Sequence, residues 1–114
     1  MIIVFEEEYL RDLYEGKKPK DKKRRYQPQI VKKYVRTIDL MMAQTNVQGL
    51  THYGGLHYEK LHGDKEGLSS VRINDQYRIE FREILQGDET FAEVCSIVDL
   101  SNHISNGTWE WKIK

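Results

Sequence analysis

Apolar and polar residues alternate along Ser70 to Arg82, with Val71 and Ile73 on one phase of the first half and Tyr77, Ile79 and Phe81 on one phase of the second. A period of two marks half-buried strands, and Asn74-Asp75-Gln76 supplies turn residues between them, so the segment predicts a tight β-hairpin. If both apolar sets face one core, opposed residues have numbers summing to an even value. Arg72 then stands directly across the ladder from Arg78.

The same reading extends along the chain. Ile2 to Phe5 fits a short strand, and Tyr9, Leu10, Leu13 and Tyr14 form a helical stripe within Glu6 to Glu15, closed by Gly16. Lys17 to Arg25 lacks a stripe and contains Pro19, which predicts a basic connector. Pro28 suits a first helical turn, and Ile30, Val31, Tyr34, Val35, Ile38, Met41 and Met42 sustain a stripe to about position 45. Lys32, Lys33 and Arg36 lie off it. A glycine-containing loop over Asn46 to Gly55 leads into a strand around Leu56 to His62, then a turn at Gly63 to Gly67. After the hairpin, Gln86 to Glu89 turns the chain into a strand from Phe91 to Leu100, apolar on both phases and therefore expected at the centre of a sheet. This order predicts an α+β fold: an N-terminal strand and two helices packed on one face of a mainly antiparallel sheet of about five strands. Residues 101–114 read as a tail or an extra hairpin turning at Asn106-Gly107, with Trp109, Trp111 and Ile113 on one phase.

At 114 residues the chain fits a single domain, residues 1–114, with a core of its own. The longest apolar runs fall far short of a membrane span, and no secretory signal is seen after Met1. The lone Cys95 forms no internal disulfide, which fits a reducing cytoplasm. The net charge of zero conceals a segregated pattern. Lys17, Lys18, Lys20, Lys22, Lys23, Arg24, Arg25, Lys32, Lys33 and Arg36 face only Asp21 in their stretch, leaving the remainder acidic. Such a cluster attracts a polyanion such as RNA, although a lysine run is also what a solvated loop looks like.

Two arginines opposed on a strand face repel each other, and an anion between them relieves the repulsion. A bound phosphate and ordinary pairing with Asp75, Glu80 or Glu83 account for the pattern equally well. The spacing of His52, His57 and His62 matches no metal site, and no phosphate-binding glycine loop, dinucleotide fingerprint or nucleophile elbow is present, so no metal or cofactor is expected. Cys95 sits in an apolar strand and reads as core. His62, Arg72, Arg78, Asp99 and His103 are of the types that cleave a phosphodiester: histidine to move protons, arginine to stabilise the phosphorane.

The run Leu61-His62-Gly63-Asp64 through Tyr77-Arg78-Ile79-Glu80-Phe81, followed by Val94 to Asp99 and His103, resembles the HigB branch of the RelE/ParE toxin superfamily. The resemblance implies a RelE-like fold and the toxin of a type II toxin-antitoxin pair: a ribosome-dependent, metal-independent endoribonuclease that cleaves translated mRNA and arrests growth. It implies partnership with a helix-turn-helix, HigA-like antitoxin, alongside mRNA and the ribosome, and no membrane. Carried over by position, Arg78 with Arg72 would bind the scissile phosphate, His62 and His103 would transfer protons, and Asp99 would orient a histidine or lie near RNA. The chain departs from the family's compact Asp-Tyr-His ending with Asp99-Leu100-Ser101-Asn102-His103. A family lysine between the histidine and the turn is missing, Lys60 and Lys65 being nearest. Two alternatives share the fold: a ParE-like, non-nucleolytic inhibitor of gyrase, and an inactive antitoxin-binding module.

Overall fold

The structure is a computed structural model that describes residues 1–102. Its chain order is β1 (Ile2–Phe5), α1 (Glu8–Glu15), α2 (Pro28–Ala43), β2 (Glu59–Lys60), β3 (Ser69–Arg72), β4 (Tyr77–Ile84) and β5 (Val94–Asn102). Short 3-10 segments occupy Lys22–Arg24, Val47–His52, Gly54–Leu56 and Gly63–Lys65. His103 and the expected hairpin around Asn106-Gly107 lie outside the described residues, whereas Ser101 and Asn102 prolong β5.

The five strands form one sheet in the order β1-β5-β4-β3-β2. Only the β1–β5 pair is parallel; the other three are antiparallel. The α+β arrangement with a mainly antiparallel sheet is therefore as the sequence predicts, and β5 is an interior strand between β1 and β4.

Helix α1 starts two residues later than its stripe suggests, with Glu7 as cap and Glu8 in its first turn, where a negative charge suits the helix dipole. Gly16 ends it at φ 79°, a left-handed conformation open to glycine, and the backbone N–H groups there return to Asp12 and Leu13 carbonyls. Pro28 opens α2. Leu10 and Leu13 of α1 and Tyr34, Ile38 and Met41 of α2 enter one core with Val71, Ile79, Phe81, Cys95, Ile97 and Leu100 of the sheet. Tyr34 is fully buried, and its hydroxyl donates to the Leu10 carbonyl at 2.8 Å, fastening the helices to each other.

Because Val71, Ile79 and Phe81 face the helices, the alternate residues Ser70, Arg72, Arg78 and Glu80 lie on the helix-free face. Two expectations shift. The strand expected over Leu56 to His62 contracts to Glu59–Lys60, since Leu56 closes a 3-10 turn and His57 takes φ 46°. The two-phase apolar pattern of β5 reflects a bulge as well as interior placement. Ile79 and Phe81, two apart on β4, pair with Leu100 and Ile97, three apart on β5, so the phase changes within the strand. Among the described residues, no helix is long and apolar enough to cross a membrane.

Candidate functional site

The hairpin places Arg72 opposite Arg78, with Ser101 of β5 next in the same transverse row. The turn is built by Asn74, whose side-chain oxygen accepts from the backbone N–H of Gln76 at 2.9 Å and of Tyr77 at 2.7 Å. Arg72 is held within this turn: Nε donates to the Asn74 carbonyl at 3.1 Å and the guanidinium pairs with Asp75. Arg78 reaches across β3 to β2, where Nη1 lies 3.2 Å from Glu59 Oε1. Its side chain is only 17% exposed.

One row further along the same face stand Glu59, Ser70 and Glu80. Glu80 is buried, and its Oε2 accepts from Lys65 Nζ at 2.5 Å and from the Ser101 hydroxyl at 2.9 Å. Burying a carboxylate is costly unless such partners bind it. Lys65 is thereby drawn from the Gly63–Lys65 turn onto the helix-free face, beside the row of arginines. Ser70 is buried with no hydrogen-bond partner for its hydroxyl among the described residues. The face thus carries Arg72, Arg78, Lys65 and, further along β4, Arg82 paired with Glu6, each already matched with a carboxylate.

His62 sits elsewhere. Its side chain is 84% exposed, with Nδ1 3.8 Å from Glu66, and it lines a cavity of about 630 Å³ together with Tyr58, Lys60, Ser69, Glu83 and Phe91. Ser69 and Glu83 belong to the opposite phase from Ser70 and Arg82, so this cavity opens on the helix side of the sheet. Within it Glu83 accepts from Tyr58 and, at 2.5 Å, from Ser69. Burial and the Glu83 hydrogen bond push the Tyr58 hydroxyl well above its ordinary pKa. Among the described residues no hydrogen bond or ion pair joins His62 to Arg72, Arg78 or Asp99.

Asp99 joins a third group. Its Oδ1 accepts from the Tyr9 hydroxyl at 2.5 Å and lies 3.4 Å from Arg24 Nη1, while the Arg24 guanidinium sits 4.6 Å above the Tyr9 ring. Burial first, and then the bond to Asp99, push the Tyr9 hydroxyl well above its ordinary pKa. Tyr26 completes the group by donating to the Leu100 carbonyl at 2.8 Å. Arg24 therefore anchors the connector to the end of β5. Lys17, Lys18, Lys20, Lys22, Lys23, Arg25, Lys32, Lys33 and Arg36 remain exposed. The connector has its own order, since Asp21 caps Lys23 N–H at 2.9 Å and Arg25 Nε donates to the Pro19 carbonyl at 2.8 Å.

Sequence reasoning paired the arginines across the ladder and named Glu80 as a partner for them, whereas it accepts from Lys65. Glu59 was overlooked, and Tyr9 was visible only as a stripe residue.

A model of the family described as "RelE-like toxin of type II toxin-antitoxin system HigB" matches residues 3–99. Among solved structures, a YoeB/ParE toxin from Agrobacterium tumefaciens has a similar fold, with TM-score 0.55 and 22% sequence identity over 90% of this chain and 99% of that one. No curated protein matches the chain.

Proposed function

Because the chain belongs to the HigB-like family of RelE-like type II toxins, we propose that this toxin is a ribosome-dependent endoribonuclease that cuts translated mRNA in the cytoplasm. Its activity is restrained by a helix-turn-helix antitoxin of the HigA kind. The observation that carries the reading is the Arg72–Arg78 pair on the helix-free face, with Lys65 held beside it by Glu80. Cations gathered on one face of the sheet suit a phosphodiester whose charge grows as the 2′-oxygen attacks.

In this reading Arg78 grips a non-bridging oxygen of the scissile phosphate through its guanidinium fork, and Arg72 supports the same charge from across the ladder. His103 is the proton carrier in this reading, since His62 lies on the other side of the sheet from Arg78, and Asp99 steadies the connector end of the site through Tyr9 and Arg24. The exposed lysines and arginines of residues 17–36 meet ribosomal or messenger RNA phosphates.

Induction of the toxin without its antitoxin, followed by mapping of transcript ends, tests the reading. New ends within translated regions, lost when translation is blocked and absent with Arg78→Ala, are the expected result. Intact mRNA with broken or trapped DNA would support a ParE-like inhibitor of gyrase instead, and unimpaired growth would support an inactive binding module.

A further inference from the structure

We infer that Glu59 is a specificity-determining residue: its carboxylate occupies the anion position on Arg78, so that an RNA phosphate binds there only by displacing it. The inference rests on the phosphate-binding role proposed above for Arg78. Among the described residues Glu59 is the one hydrogen-bond or ion-pair partner of the Arg78 side chain, at 3.2 Å. A carboxylate and a phosphate offer the same pair of oxygens to a guanidinium fork, and the two compete for the same N–H groups.

The two arginines differ in how they are held. Arg72 is tied to its own turn by the Asn74 carbonyl as well as by Asp75, three residues away. Arg78 is held by a carboxylate from another strand, and that strand is two residues long and at the edge of the sheet. Glu59 is itself 54% exposed, against 17% for Arg78. The carboxylate can therefore rotate into solvent while the arginine stays in place, and the site opens without a change in the sheet.

Exchange of one anion for another gains little by itself. A lone phosphate or a short RNA thus gains only the difference between two similar contacts, while an RNA that also engages the exposed basic residues of 17–36 gains enough to displace Glu59. Glu59 in this way favours a long or ribosome-held strand over free nucleotides, and it lowers the charge that the opposed arginines would otherwise present.

The test compares the parent protein with Glu59→Gln, using a short single-stranded 2′-O-methyl RNA that resists cleavage and reading its binding by fluorescence anisotropy. Glu93→Gln, the same charge change at an exposed position before β5, is the control for general electrostatics. Glu59→Gln is expected to bind about tenfold more tightly, in keeping with loss of a competing charged hydrogen bond. The gain should vanish in the double variant Glu59→Gln, Arg78→Ala, and it should not appear in Glu93→Gln. A gain caused by misfolding would persist in the double variant. Unchanged binding by Glu59→Gln, or an equal gain with Glu93→Gln, overturns the inference. The readout separates it from the nuclease reading: tighter binding with no transcript cleavage supports the role of Glu59 and defeats the nuclease, whereas intact cleavage with parent-like binding defeats Glu59 alone.

Discussion

Arg72 and Arg78 face each other across the β3–β4 ladder, yet their guanidinium groups are neutralised by carboxylates of different origin, Asp75 from the turn and Glu59 from β2. The hairpin thus tolerates two like charges in register by sending one along the chain and the other across the sheet. This arrangement makes Arg78 the more separable of the two from the stability of its own turn.

Replacement of Arg78 by alanine is expected to lower the rate of mRNA cleavage on translating ribosomes by about a hundredfold or more, the usual cost of losing a group aimed at developing charge. Arg78→Lys should recover only part of this, because an ammonium keeps the charge without the planar fork. Single-turnover cleavage of a translated message measures both.

Asp99→Ala should destabilise the protein by about 1–2 kcal/mol, since the Tyr9 hydroxyl loses its acceptor and Arg24 loses its counter-charge. Urea unfolding gives the loss. Faster trypsin cleavage within residues 17–25 of the folded variant would show that the connector has come away from β5; an unchanged cleavage rate would contradict its anchoring role.

Alkaline pH should weaken the fold in a defined order. Burial, with a contribution from the negative Glu83, pushes the Cys95 thiol up to about 12 from its ordinary 9.0. The native state therefore holds this proton more tightly than the unfolded chain does. The stability so gained is complete below about pH 9 and is lost as pH rises toward about 12, at up to roughly 1.4 kcal/mol per pH unit. Tyr9, Tyr34 and Tyr58, all pushed up chiefly by burial, join above pH 10.0. Cys95→Ala should flatten the urea-midpoint profile between about pH 9 and 10, before the tyrosines contribute.

Tyr34→Phe removes the buried bond to the Leu10 carbonyl while keeping the ring. A loss of about 1 kcal/mol is expected from the missing hydrogen bond. Phe81→Ala, which empties the centre of the core, should cost about 3–5 kcal/mol. Thermal or urea unfolding ranks the two.

Lys22→Ala and Lys23→Ala alter exposed charges in the connector. Each is expected to weaken RNA binding and to reduce the slope of log affinity against log salt by roughly 0.7, the value for a single-strand phosphate contact. A titration at several salt concentrations tests this, and an unchanged slope would remove the connector from the RNA interface.

The parity of Val71, Ile73, Tyr77, Ile79 and Phe81 was enough to fix the hairpin register, because a slip of one residue would turn every apolar side chain to the wrong face. Helix α2 was equally legible from its stripe and Pro28. What stayed hidden depends on strand order. Glu59 meets Arg78 only because β2 lies beyond β3, and Tyr9 meets Asp99 only because α1 packs near the end of β5. Neither contact leaves a local period. The bulge between Glu80 and Phe81 was concealed for a related reason: a change of phase and burial on both faces produce the same apolar run in β5. His62 was expected on a strand, but the chain leaves β2 at Lys60 and His62 caps the following 3-10 turn, away from Arg78.

The parallel pairing of Ile2–Phe5 with Val94–Ile97 joins the first described strand to the last. During synthesis β1 leaves the ribosome without a sheet partner, and it waits with Ile3 and Phe5 uncovered while some ninety residues follow. The sheet is completed only when β5 emerges, which also delivers Asp99 to Tyr9 and Ser101 to Glu80. Closure of the sheet is thus a late event, and a nascent chain that stops short of β5 lacks it even where the hairpin and its ion pairs are already present.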